Sequence, residues 1–262
     1  MDANNLTGTS EKQLAINAQV RELIDRKLDN NFSEDEKALL RQYRGGGGSE
    51  AKTAQETLFE FYTPLWLTEK VWELLRHFGY DGGYVLEPSC ATGNFFAHAD
   101  DESKCIGFEM NKYTARIAQV LYPKATIYNR PFEYAFLKNR SMIRKVPYTW
   151  LEQYPFSAIV GNPPFGLYKS IESSFFKGKK IMGRNFKPTQ FESMFLYLGL
   201  NMLKKGGLLV YVLPQAFLRN GDKYSAEKKI MGDMAEVLEA IRMPPIFHAS
   251  GVPTDLLILK RK

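Results

Sequence analysis

Cysteine is scarce in this chain, with only Cys90 and Cys105 among 262 residues and no CxxC pair. That excludes a disulfide framework and predicts reduced thiols in a cytoplasmic protein. Histidine is thin as well. His77, His98 and His248 are scattered without ligand spacing, so no metal site is expected. Long apolar runs are missing. Stretches such as residues 208–213 are far too short to span a bilayer, and the polar start Met1-Asp2-Ala3-Asn4-Asn5 lacks the basic residues of a secretory leader. No membrane association is expected.

What is present is an ordinary globular composition, 44% hydrophobic and 24% charged, enough to bury a sizeable core. Tyr and Phe are plentiful, at 14 and 18 residues, and the formal net charge is +6. A basic, aromatic-rich chain suits a polyanionic partner, although charge alone decides little.

Residues 1–10 are rich in Asn, Thr and Ser and read as disordered. Helical spacing of Leu14, Ile16, Val20, Leu23 and Ile24 predicts a helix over 11–28. Ser33 followed by Glu36 forms a capping box that opens a second helix. The run Gly45 to Gly48 then breaks any helix. Residues 1–48 are therefore expected to be a small helical appendage, and 49–262 the main domain. From there the pattern alternates. Helices are predicted over 67–78, from about 93, and over 113–121, 190–203 and 226–240. Strands are predicted over 84–87, 105–108, 125–128, 157–160, 208–213, 238–243 and 255–259. Alternating strands and helices imply an α/β fold, a doubly wound and mostly parallel sheet.

Three segments in order carry chemistry. Glu87-Pro88-Ser89-Cys90-Ala91-Thr92-Gly93-Asn94-Phe95 turns from a strand end toward a helix, where open α/β sheets bind nucleotides. Glu109, with Met110 beside it, stands at the end of the next strand, 22 residues after Glu87. An acidic residue at that spacing meets ribose hydroxyls in dinucleotide folds; it would otherwise cap the helix that follows. The third segment is Asn162-Pro163-Pro164-Phe165, a stiff polar corner at the end of a buried strand. There the Asn162 side-chain oxygen and the Pro163 carbonyl are placed to accept the two hydrogens of an exocyclic amine. Phe165 is placed to stack on the base. This is catalysis by positioning and electrostatics, without a general base.

Taken together, Glu-Pro-Ser-x-x-Thr-Gly-Asn-Phe, Glu109 and Asn-Pro-Pro-Phe resemble the N6-adenine DNA methyltransferase family over about residues 58–262. The resemblance implies a Rossmann-like class I methyltransferase with S-adenosyl-L-methionine as cofactor and a flipped adenine in DNA as substrate. By the same resemblance, Tyr62, Thr63 and Pro64 contact the cofactor methionine, Phe132 stacks on its adenine, and Glu133 takes an acidic role beside it. Residues 247–260 resemble the family's final strand. Less closely, the segment Leu40-Arg41-Gln42-Tyr43-Arg44-Gly45 resembles one preceding the methylase part of large helicase–methylase proteins. Ala91 replaces the first glycine usual in the cofactor loop, a cost of about 1 kcal/mol if the backbone there needs φ > 0. Members commonly carry a target-recognition domain, and none is visible here, which implies a separate recognition subunit or domain.

Lys169, Lys177, Lys179, Lys180, Arg184 and Lys187, interleaved with Phe175, Phe176 and Phe186, follow the corner. They suit non-specific DNA backbone contact and base stacking, or equally a solvated loop. Other readings stay open at this point: an RNA-base or protein-amide methyltransferase of the same fold, or a non-catalytic DNA-binding module that needs a partner.

Overall fold

The computed structural model describes residues 11–45, 62–133, 156–167, 180–181, 184–185, 189–219, 221, 224–244, 246 and 252–262. Strands β1 (Tyr84–Glu87), β2 (Cys105–Phe108), β3 (Thr126–Tyr128), β4 (Phe156–Gly161) and β7 (Leu203–Pro214) run parallel, and β9 (Thr254–Arg261) lies antiparallel between β7 and β8 (Ala235–Arg242). The order of the seven-stranded sheet is β3-β2-β1-β4-β7-β9-β8. Leu86, Ile159, Leu209, Tyr211 and Leu257 anchor one face of the sheet in a large apolar cluster, and Val85, Ala158, Val160, Val210 and Ile258 anchor the other. The inner strands are buried on both faces, which is why they read as continuous apolar runs rather than alternating ones.

Helices α3 (Leu65–His77), α4 (Lys112–Leu121), α5 (Phe191–Met202), α6 (Gln215–Leu218) and α7 (Ser225–Met234) connect or flank the strands. The helix expected from about residue 93 is instead a short 3₁₀ turn, Asn94–His98. Its Phe95 and Phe96 are buried, and the chain leaves it at once in extended conformation at Ala99. The helix expected over 226–240 stops at Met234, because Ala235 turns extended and β8 pairs with β9 from its first residue. Long-range pairing overrides the local helical pattern there.

At the N-terminus, α1 (Glu11–Arg26) and α2 (Glu34–Leu40) form as the sequence predicts, and Ser33 and Glu36 complete the capping box. The pair docks on α4, where Val20, Leu23, Ile24, Phe32, Leu40 and Tyr43 share one cluster with Ile117, Val120 and Leu121. Arg116 of α4 donates to the Leu28 and Asp29 carbonyls and to Asn30 Oδ1, which fixes the loop between the two helices. Residues 1–10 and Gly46 to Gly48 lie outside the described residues. No helix among those described is long and apolar enough to cross a membrane.

Candidate active site

The sheet order reverses at β1, which has β2 on one side and β4 on the other. Such a switch point leaves a crevice at the carboxyl ends of the strands, where ligands of open α/β sheets bind. Here those ends are Glu87, which closes β1, and Gly161-Asn162, which closes β4. Between them lies a pocket lined by Tyr62, Thr63, Glu87, Ser89, Cys90, Ala91, Thr92, Asn94, Phe95 and Asn162. Three segments distant in sequence therefore meet in one place.

Close backbone approach shapes the β1–β2 loop. Cys90 N–H donates to the Phe108 carbonyl at 2.9 Å and lays the loop across β2. Gly107 permits this, since a Cβ there would sit 2.8 Å from Cys90 Sγ. Gly93 is left-handed at φ 82°, and a Cβ on it would meet the Tyr122 ring at 2.7 Å. Ala91 is also left-handed, at φ 45°, and is the one non-glycine residue so placed among those described. The strain is about 1–2 kcal/mol for an L-residue. Glu109 offsets it, because its Oε2 accepts the Ala91 N–H at 3.0 Å while Oε1 accepts the Asn111 N–H at 2.7 Å. Glu109 thus holds the loop and the entry to α4 together.

The upstream segment is tied down as well. Asn94 Nδ2 donates to the Thr63 carbonyl at 2.8 Å, and Trp72 Nε1 donates to the Phe95 carbonyl at 2.6 Å. Pro64 caps the start of α3.

Several polar atoms at the pocket are shielded from solvent and lack a hydrogen-bond partner among the described residues: Glu87 Oε2, Ser89 Oγ, and both Oδ1 and Nδ2 of Asn162. Orphaned buried groups cost free energy, and their convergence marks a place that a polar ligand completes. The enclosed space is only about 20 Å³. That is room for one water, so a nucleoside must occupy the open crevice or displace the flanking side chains.

Burial, and then the nearby Glu109 carboxylate, push the Glu87 carboxyl well above its ordinary range. Burial likewise raises the Cys90 thiol, with Glu87 and Glu109 adding to it, which makes Cys90 an unreactive packing residue. The sign of the Glu87 effect on stability follows from linkage. Above the usual carboxylate range the unfolded chain has released this proton while the folded chain still holds it, so stability is lost as pH rises. Glu87→Gln is therefore expected to melt higher than the parent near pH 8 and to match it near pH 4. A melting series across pH checks this, and equal melting temperatures at both ends exclude a neutral Glu87.

The corner 162–165 is held from the other side. Glu192, in the first turn of α5 and 1% exposed, accepts the Gly166 N–H at 3.0 Å and the Tyr224 hydroxyl at 2.6 Å. Phe191 N–H donates to the Gly166 carbonyl at 2.8 Å, and a bridge joins Leu167 to Gln190. Phe165 packs partly buried against the cluster of Leu67, Val71 and Trp72.

Of the residues singled out in the sequence, Tyr62, Thr63, Glu87, Ser89, Ala91, Asn94, Phe95 and Asn162 meet in the pocket. Cys90 and Thr92 line it too, although in the sequence they stand only as spacing residues. Pro88, Gly93, Pro163 and Pro164 shape its backbone without lining it. Met110 is exposed, and Glu133 is buried. Phe132 is 2% exposed inside the main core, against Phe108 and Phe195, and is not among the residues that line the pocket. Of the basic cluster, Lys180 lies in β5 (Lys180–Ile181) and Arg184 in β6 (Arg184–Asn185), which pair antiparallel. Lys169, Lys177, Lys179 and Lys187 fall outside the described residues. Among those described, no group of His, Cys, Asp and Glu is placed to hold a metal ion.

Comparison with known proteins gives a consistent picture. Residues 48–262 match the model of the N-6 DNA Methylase family. The chain is similar to the Defense against restriction protein B of Escherichia phage P1, 27% identical over 258 residues, covering 94% of this chain and 10% of that protein. The fold is similar to that of a Listeria monocytogenes protein described as a class I S-adenosylmethionine-dependent methyltransferase. That match has a TM-score of 0.62 at 16% identity, over 93% of this chain and 73% of the other. It is also similar to the M protein of the type I restriction enzyme EcoKI, with a TM-score of 0.53 at 18% identity, over 97% of this chain and 55% of the other. The seven-stranded order with a single antiparallel strand is that of the class I methyltransferase fold.

Proposed function

The chain belongs to the N-6 DNA Methylase family, and we propose that it methylates the N6 amine of adenine in DNA with S-adenosylmethionine as donor. The observation that carries this reading is the Asn162 side chain, shielded and unpartnered at both polar atoms, facing the same pocket as Glu87 and Ser89. When bound, S-adenosylmethionine supplies an electrophilic methyl group. In this reading Tyr62, Thr63, Glu87, Ser89 and Asn94 would hold its amino-acid end, and Glu109 its ribose. Asn162 Oδ1 accepts one hydrogen of the adenine amine and the Pro163 carbonyl the other. The nitrogen lone pair, otherwise delocalised into the ring, is thereby drawn toward the methyl group. Methyl transfer leaves a proton on nitrogen that passes to solvent afterwards, so no base is needed beforehand. Phe165 stacks on the base, which has left the duplex.

The chain spans one-tenth of the phage protein it resembles, and its sequence preference is assigned here to a separate recognition subunit or domain. Lys169, Lys177, Lys179, Lys180, Arg184 and Lys187 contact phosphates, so DNA affinity falls steeply with salt. Replacing Lys177, Lys179 and Lys180 together with Ala flattens that dependence and leaves cofactor affinity unchanged. Incubation with methyl-labelled cofactor and DNA, RNA or protein, followed by digestion, tests the main reading. Label is expected in N6-methyldeoxyadenosine. Label confined to RNA, to protein or to no acceptor overturns it.

A further inference from the structure

The helical pair α1–α2 lies before the residues that match the family, which begin at 48, yet it reaches the pocket. The link is segment 42–45. Asn17, 1% exposed in the middle of α1, accepts the Arg44 backbone N–H at 3.2 Å and donates to the Gly45 carbonyl. Gln13 Nε2 donates to the Gln42 carbonyl at 2.9 Å. The end of α2 is thus pinned along α1, and both helices are pinned to α4. From this fixed segment two side chains reach Tyr62. The buried Tyr43 meets its ring edge-on, with centroids 6.3 Å apart and an interplanar angle of 82°. The Arg44 guanidinium stands over the same ring, 5.8 Å from its centroid. Tyr62 in turn lines the pocket with Glu87 and Asn162.

We propose that α1–α2 is a working part of the cofactor site, with Tyr43 and Arg44 as positioning residues that hold Tyr62 as its wall. This rests on reading that pocket as the place where S-adenosylmethionine binds. The enclosed volume is small, so admitting a ligand depends on where the flanking side chains stand. A wall held in advance spares the ligand the entropy of ordering it. Residues that the sequence ties to a helix cap and a glycine run supply this support.

A double-mutant cycle on the full chain tests the idea, with S-adenosylmethionine affinity read by calorimetry for Arg44→Gln, Tyr62→Ala and the two combined. Arg44→Gln is expected to weaken binding about three-fold when Tyr62 is present, the scale of an exposed cation–π contact. In the Tyr62→Ala background it is expected to add nothing, because its partner is gone. Arg44→Lys keeps the charge but loses the planar stack, and is expected to fall between. An equal loss in both backgrounds, no loss in either, or a lower melting temperature with unchanged affinity overturns the proposal. Unchanged affinity in Tyr62→Ala alone is a separate result. It removes Tyr62 from the cofactor site and so overturns the underlying reading of the wall, not only the role of the helices.

Discussion

Asn162→Ala is expected to lower methyl transfer by roughly 10³-fold, the scale of losing a group that acts mainly on the developing charge of a transition state. The affinity for S-adenosylmethionine is expected to stay within a few-fold. The two quantities separate because Asn162 follows the end of β4 while the loop proposed to cradle the donor is built on β1 and β2. Its amide atoms lack partners among the described residues, so removing them breaks no hydrogen bond there that the loop relies on. Initial rates with saturating cofactor, set beside calorimetry, read the two effects independently. A parallel fall in both assigns Asn162 to the framework of the pocket and ends its role as hydrogen acceptor.

The second large effect concerns Glu192. Leucine at this position removes the carboxylate that accepts from the Gly166 N–H and the Tyr224 hydroxyl. Each buried donor so abandoned costs about 1–3 kcal/mol. The Gly166 amide is one residue beyond Phe165, so the corner proposed to grip the base loses one of its outer tethers. A displacement on the order of 1 Å of a reacting group can cost about 10²-fold in rate. Glu192→Leu is therefore expected to lose roughly 10²-fold in turnover and about 2–4 kcal/mol of stability. Glu192→Gln keeps an acceptor for Gly166 and a donor for the Tyr224 oxygen, and is expected to recover most of both. Denaturant titration and steady-state rates check the pair. Unchanged turnover in a folded Glu192→Leu protein shows that the corner keeps its shape without this carboxylate.

Much of the frame was legible in the sequence because it is local. Ser33 and Glu36 announce their capping box within four residues, and β2 begins and ends where its apolar run does. The pocket was legible for a different reason. Most of its parts sit at strand ends, and strand ends of a parallel sheet lie side by side whatever the intervening chain does. Partnership was not legible. The apolar stripe of α1 shows that Val20, Leu23 and Ile24 face something, but not that the something is Ile117 and Val120 of α4. Glu192 reads as a helix-start carboxylate, and only the return of Gly166 to α5 reveals it as a tether. Phe132 reads as a stacking ring, but that its own partners include Phe108 and Phe195 could not be read from the sequence. The boundary of α7 was misplaced because residues 235–240 keep a helical spacing of apolar side chains while β9 supplies a ladder that a helix cannot use.

The placement of β9 between β7 and β8 has a consequence for how the chain is made. During synthesis β8 emerges before the strand that joins it to the sheet, so it waits unpaired while residues 254–261 are still to come. β7 meanwhile pairs with β4 on one side and offers its other edge to solvent. At about 5–20 residues per second the exposure is brief, but an open strand edge is a template for other chains. The sheet is therefore most open to aggregation in the interval between the synthesis of β8 and that of β9, and it closes only when β9 slides between two strands already made.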